Sequence, residues 1–254
     1  MKKFFAFMGI VWQQTLAYRA EHFVWFLLDL IPAFVISNLW VYVHQQSIVY
    51  YYVVNILIER LTATHFEDWM IDEVKDGKIS TYLLKPFSYR VFLAANEITW
   101  RLSGLIFVIP SLFLFYPLLK NTPFPNISLP HLLLTLTLIP IIFLSRFCIS
   151  FIIGSSSFWL ENSKAFSHFK WMCEGLFGGA WLPLFMFPIA VQNFARATPF
   201  YYFFFFPNQL ILGKLNNVEI MTGLFVCITW LAILLIISTW VWRRAIRAYS
   251  AVGN

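Results

Sequence analysis

Six long apolar runs separated by short polar breaks dominate this chain, over about residues 22–43, 47–66, 91–119, 131–159, 166–189 and 218–242. Each reaches the roughly 20 residues that a helix needs to cross a bilayer. None alternates apolar and polar positions as a half-buried strand would. Glu59 and Arg60 interrupt the second run, which makes it the least regular. Pro32, Pro110, Pro140 and Pro183 lie inside runs. Neighbouring helices tolerate this by satisfying the freed backbone groups. Ahead of the first run, Phe4, Met8, Val11, Trp12 and Thr15 recur at helical spacing. They predict an amphipathic helix lying in the membrane interface over residues 1–21. A cleaved leader fits less well, because Gln13 and Gln14 break the run and Arg19 and Glu21 lead straight into the next.

Two segments between runs have a character of their own. Residues 66–86 are polar and charged, with Phe66, Trp69, Met70 and Glu73 at helical spacing. Gly77 is placed to end that helix, and Pro86 breaks the chain before the third run. Residues 190–217 are aromatic and apolar but interrupted by Pro199 and Pro207. That segment is too broken to span and predicts a re-entrant or interfacial hairpin, with an aromatic belt anchoring the last helix as the alternative.

Composition agrees with the pattern. Of 254 residues, 60% are hydrophobic and 12% charged, with a mean hydropathy of +0.71. Soluble domains carry about 25% charged residues, so the chain is expected to be an all-α, multi-pass integral membrane protein with one domain over 1–254. The net charge of +6 comes from cations clustered beside the runs, which does not favour a nucleic-acid partner. With the N-terminus placed in the cytoplasm, Lys2, Lys3, Arg19, Lys75, Lys78, Lys85, Arg90, Lys164, Arg243, Arg244 and Arg247 fall inside. Only Lys120, Arg196 and Lys214 fall outside. By the positive-inside rule both termini and residues 66–86 are expected to be cytoplasmic, with 190–217 at the outer face. Cys148, Cys173 and Cys227 sit in apolar runs at spacings that suit neither disulfides nor zinc. Asn126 and Ser128 form a glycosylation sequon that we read as chance.

Asp29, Glu59, Arg60, Glu97, Arg101, Arg146, Lys170 and Glu174 lie within the runs. Glu97 with Arg101, and Lys170 with Glu174, stand four residues apart, the spacing of on-helix ion pairs. Neutralising pairs are one reading of these charges; a polar lining or ion relay is the other. Asp29 and Arg146 have no opposite charge nearby on their own helix. Gly175 and Gly179 have the spacing that lets helices approach closely.

Catalytic constellations are weak. The Gly-Lys pair at Gly77-Lys78 has Asp72 where a P-loop needs its first Gly, and Ile79 where it needs Ser or Thr. Ser155, Ser156 and His168 offer hydroxyls and an imidazole with no evident oxyanion hole, and the remaining histidines lack metal-ligand spacing. No cofactor is expected in the chain itself. A charged segment without chemistry of its own is best read as a docking surface for a soluble partner.

Val74, Gly77, Ile79, Leu83, Leu84, Lys85 and Pro86 follow a loop pattern I-x-x-G-x-[IL]-x-x-x-L-L-[KR]-P, with Val in place of the usual Ile. Tyr18-Arg19, the proline-spaced stretch 183–214 and the tail Tyr249-Ser250 with Gly253 add to it. On these residues the chain resembles permease subunits of the ABC-2 superfamily of ABC exporters. The resemblance implies an elbow helix, six spans, a coupling helix after the second and outer re-entrant helices before the sixth. It also implies pairing with a second permease copy or paralogue in a bacterial cytoplasmic membrane. A separate ATPase dimer would bind ATP and Mg²⁺ and dock on the coupling helix, with Phe66, Trp69, Met70, Glu73, Gly77 and Lys78 as contacts. It places Asp29, Gly175 and Gly179 near the cargo path; the Trp- and Phe-rich runs suggest a hydrophobic or amphiphilic cargo. An ion-coupled carrier or channel using the intramembrane charges, without an ATPase, is the alternative.

Overall fold

The computed structural model describes residues 9, 12, 13, 19–43, 47–120, 125 and 127–249. Most of the expected elbow, residues 1–21, lies outside them; residues 9, 12 and 13 are helical. The described residues form helices and turns with no strand. The helices are α1 (Arg19–Tyr42), α2 (Ser47–Thr62), α3 (Glu67–Lys75), α4 (Ile79–Leu83), α5 (Tyr89–Gly104), α6 (Val108–Leu119), α7 (Leu129–Ser156), α8 (Lys164–Leu176), α9 (Ile189–Arg196), α10 (Phe205–Ile211) and α11 (Asn217–Ala248).

Helices α7 and α11 are each long and apolar enough to cross a membrane, and they pack along one another. Ser128 caps α7 by accepting from the His131 amide, and a reciprocal Asn216–Glu219 capping box starts α11. Most of α11 stays outside the core: Met221, Phe225, Ile228, Ile236 and Trp240 are exposed. So broad an apolar surface needs an apolar solvent, which marks the lipid-facing side.

Helices α5 and α6 are long and apolar enough to cross only when taken as a pair, which is bent by 46° around the turn Leu105–Phe107. The expected single run 91–119 breaks here because Pro110 has no N–H for the Ile106 carbonyl and its ring crowds the preceding turn. Helix α2 stops at Thr62 rather than at 66, and the uninterrupted apolar part of α1 is only Leu30–Tyr42.

The largest departure is the fifth run, expected as one helix over 166–189. Helix α8 ends at Leu176, and the chain turns through Gly178 and Gly179, the latter at φ 77°, before Pro183. Only glycine takes that φ without strain. The broken backbone is satisfied inside the protein, as it must be at membrane depth. Phe205 N donates to Gly178 O at 3.0 Å, Tyr51 Oη to Gly179 O at 2.6 Å and Tyr52 Oη to Trp181 O at 3.0 Å. Gly175 and Gly179 therefore do not share one helix face, and their four-residue spacing makes no packing seam.

Residues 190–217 form two short helices, α9 and α10, joined by the turn Phe200–Tyr202. Their aromatics are not a surface belt. Phe203, Phe204, Phe205 and Phe206 are buried with Tyr51, Tyr52 and Leu138 in the main core between α2, α7 and α10. A second core, with Phe66, Met70, Ile79, Leu93 and Phe151, clamps α3 against α5 and α7. A third joins α1, α2 and α6 through Leu30, Val53 and Phe115.

Candidate functional site

Helix α3 lies across one end of the bundle, where α2, α7 and α11 finish and α5 and α8 begin. Met70, 0% exposed, rests on α7 at Gly154, where a Cβ would come within 2.6 Å of its Sδ. Tyr249 Oη, just past α11, reaches Gly77 O at 3.4 Å. Arg90, in the first turn of α5, donates to Ser238 O at 2.6 Å and Thr239 Oγ1 at 3.0 Å of α11. Gly77, at φ 70°, makes the turn from α3 towards α4.

This placement divides the predicted docking residues. Phe66, Met70 and Glu73 point into the chain and are buried. The amphipathic spacing that singled them out marks the face packed on α5 and α7. Trp69, 37% exposed, and Lys78 face outward, together with Asp72, Lys75, Asp76, Leu84 and Lys85. Two surface ion pairs order this face, Lys164–Asp72 at 2.8 Å and Lys78–Asp76 at 2.7 Å, each contributing at most about 1 kcal/mol. Lys85 sits 4.5 Å from the centre of the Tyr82 ring.

Burial pushes the Glu73 carboxyl above the ordinary carboxylate range, against the pull of the Tyr89 hydroxyl that donates to its Oε2 at 2.7 Å. It also pushes Tyr82 up to about 12, with Glu73 adding to the rise. A carboxyl whose folded pKa is raised favours the folded state at low pH and loses that contribution as pH rises through the folded value. Glu73→Gln is therefore expected to raise the thermal midpoint above wild type at pH 7–8 and to match it near pH 4, in thermal scans of the purified chain.

Beneath α3 the intramembrane charges form a network. Arg146 of α7 is 0% exposed. It donates from Nη1 to Glu59 Oε2 of α2 at 2.7 Å and to Thr62 Oγ1 at 3.0 Å, and from Nη2 to Glu174 Oε2 of α8 at 2.8 Å. The planar guanidinium presents its donors as a fixed fork that reaches both carboxylates at once. Phe204 closes one side, its ring centre 5.0 Å from the guanidinium. Lys170 of α8 is buried and donates to Glu67 Oε1 at 2.5 Å, Thr64 O at 2.8 Å and Ser150 Oγ at 2.8 Å. Burial alone would raise the Glu67 carboxyl; Lys170, with His65 nearby, carries it below its ordinary value instead.

The expected Lys170–Glu174 pair is thus replaced by two longer-range ones. Glu174 turns to Arg146 and Lys170 to Glu67, because each finds there a desolvated partner with further hydrogen bonds. Arg101 Nη2 stands 3.4 Å from Glu97 Oε2, as the spacing of that pair implies. Asp29 lies in α1, and its side chain falls outside the described residues. Glu67, Thr64 and Ser150 escaped the sequence reading, since nothing local ties them to a lysine 103, 106 or 20 positions away. Ser155 and Ser156 donate to the carbonyls of Phe151 and Ile153 on their own helix.

A cavity of about 200 Å³ opens above this network between α1, α2 and the α8 end. Asn55, Glu59, Arg60 and Glu174, with Tyr52, form its polar side; Pro32, Trp171, Trp181 and Phe204 are among the apolar residues that line it. Gly175 also lines it, and a Cβ there would run into the Trp181 ring. Gly179 is held apart by its bond to Tyr51.

No curated protein and no solved structure matches the chain. The family model described as ABC-2 family transporter protein matches residues 21–253. With apolar membrane-crossing helices and a match over nearly its whole length, the chain belongs to the ABC-2 family of transporter membrane components.

Proposed function

We propose that this chain is the permease subunit of an ATP-driven exporter in a bacterial cytoplasmic membrane. In this reading it pairs with a second copy or a similar permease, and a separate ATPase dimer docks on the outward face of α3 and α4. The partner binds ATP and Mg²⁺; this chain supplies the membrane path and no nucleotide site. The cargo is hydrophobic or amphiphilic and leaves outward.

The observation that carries the reading is the seating of α3. Its outer face offers Trp69, Asp72 and Lys75 to a partner, while its inner face is fastened to α8 through Glu67 and Lys170. Along α8 from Lys170, Trp171, Glu174 and Gly175 form one wall of the cavity. A tilt of α3 imposed by the ATPase is thereby passed to the cavity wall through a rigid ion pair. This is how two states of a soluble motor bias two states of a membrane dimer. Lys75, Lys78, Lys85, Arg90, Lys164, Arg243 and Arg244 gather at the same end of the bundle, which supports a cytoplasmic position for it.

The test uses exposed positions, since Glu73 faces inward and Gly77 holds a left-handed turn. Lys75→Glu combined with Lys78→Glu, both at exposed positions, is expected to abolish co-purification with an ABC ATPase co-expressed with this chain, in mild detergent, while leaving the thermal midpoint close to that of wild type. Undiminished ATPase binding by that variant would remove α3 as the docking element. Absence of any ATPase on the wild-type chain, with or without ATP, would remove the exporter reading.

A further inference from the structure

The membrane-crossing helix α11 changes character along one exposed face. Ile236 and Trp240, 70% and 60% exposed, are followed on that face by Arg243 and Arg247, at intervals of three or four residues. Arg244 stands beside them, its guanidinium 5.4 Å from the centre of the Trp240 ring. From Ile236 to Arg247 the face covers about 16 Å, at a rise of about 1.5 Å per residue. Its apolar part belongs to the lipid-facing side of α11, so its cationic part stands where hydrocarbon gives way to headgroups.

The positive charge there is not neutralised by the chain. Arg243 and Arg247, four residues apart, repel one another. Arg90 of α5 is tied to α11 at Ser238 O and Thr239 Oγ1, and Arg243 acts on it as a like charge. None of these four arginines forms an ion pair among the described residues. The C-terminal end of the helix dipole supplies about half a negative charge, which leaves most of the four cations uncompensated. The nearby α3 surface differs, since it pairs Lys78 with Asp76 and Lys164 with Asp72. The N-terminal segment of the chain brings Lys2, Lys3 and Arg19 against the single Glu21 and would add to the repulsion.

From this juxtaposition we infer that the end of α11 binds an anionic phospholipid, its phosphate held by Arg243, Arg244 and Arg247 and its acyl chains lying along Trp240 and Ile236. Guanidinium forks suit a phosphodiester, which they engage through parallel N–H donors. A headgroup with its own ammonium brings back the charge that the site already has in excess. A headgroup without one leaves its negative charge to the arginines. An acidic soluble protein would meet the arginines but not Ile236, which lies two turns further towards the hydrocarbon. The inference needs only the membrane-crossing placement of α11 and involves no ATPase.

The experiment is thermal stabilisation of the full-length chain in a neutral detergent, titrated with dioleoyl phosphatidylglycerol or dioleoyl phosphatidylcholine. A lipid that binds the folded chain raises its midpoint by mass action. The expected result is saturable stabilisation by phosphatidylglycerol, with an apparent affinity about tenfold or more above that of phosphatidylcholine, since each basic residue at an anionic surface contributes about fivefold. The triple variant Arg243→Gln, Arg244→Gln, Arg247→Gln is expected to bring the two lipids to near-equal affinity. Replacing the same three arginines by Lys keeps the charge and is expected to keep most of the preference. Lys75→Gln, Lys78→Gln, Lys85→Gln removes as many cations from the α3–α4 surface and is expected to leave the preference unchanged. Equal wild-type affinity for the two lipids overturns the inference, as does a preference that survives the glutamine variant. Equal loss in the α3–α4 variant or in the lysine variant overturns it as well. Co-purification of a co-expressed ABC ATPase, measured on the same preparations, reports on the exporter reading separately.

Discussion

Arg146→Leu is expected to be the most destabilising single substitution in the bundle. It leaves Glu59 and Glu174 facing each other in the interior without their shared cation, and removing one partner of a buried ion pair costs about 3–5 kcal/mol. The expected outcome is a chain that is largely degraded or aggregated on expression, with a strongly lowered thermal midpoint in whatever fraction is purified. Arg146→Lys keeps the charge but not the fork that reaches Glu59, Thr62 and Glu174 together, so an intermediate midpoint follows. The triple variant Arg146→Leu, Glu59→Gln, Glu174→Gln removes all three charges and is expected to recover much of the loss, because the penalty lies in the uncompensated carboxylates. A wild-type midpoint for Arg146→Leu alone would show that these carboxylates do not depend on the arginine.

Breaking the Lys170–Glu67 tie has a different signature. Lys170→Met removes the cation from Glu67 and strips donors from Thr64 O and Ser150 Oγ. The cost is again about 3–5 kcal/mol for the lost partner of a buried pair, but it falls locally, on the attachment of α3 to α8. We expect faster proteolysis within 62–67 and loss of cargo-stimulated ATP hydrolysis, while ATPase binding at the exposed face of α3 persists. The exchange Glu67→Lys with Lys170→Glu is expected to restore part of the stimulation. The same pair predicts a pH response. The Glu67 carboxyl sits below its ordinary value of 4.5, so its contribution to stability is complete above that pH and fades as pH falls towards the folded value. Glu67→Gln should lack this acid-side slope in thermal scans. Normal coupling in Lys170→Met would remove the ion pair from the transmission route.

Legibility from sequence varied with the range of the interaction. Run length and composition carried the membrane class, since burying so apolar a chain in water is not feasible whatever its tertiary arrangement. The helical spacing of Phe66, Trp69, Met70 and Glu73 located α3 correctly but not its outward side. Amphipathicity states that two faces differ, and in a membrane protein the apolar face can meet the chain itself as readily as a partner. Burial assigned Phe66, Met70 and Glu73 to the inside and left Trp69 and Lys78 outside. The on-helix pairing of Lys170 with Glu174 was the natural expectation from four-residue spacing. The true charged partners, Arg146 and Glu67, lie on two other helices, at distances along the chain that no local rule covers.

The sequence by itself determined that the chain lives in a membrane, which of its segments are apolar helices, where a polar helix interrupts them, and to which transporter family it belongs. Tertiary structure alone decided that the fifth run breaks after Leu176, where the left-handed turn at Gly179 has its carbonyls satisfied by Tyr51, Tyr52 and Phe205 from other elements. It alone joined Arg146 to two carboxylates and Lys170 to a third. Helix periodicity is a property of neighbours in sequence, whereas the choice of a desolvated partner for a buried charge depends on which helices the whole bundle brings within hydrogen-bond reach.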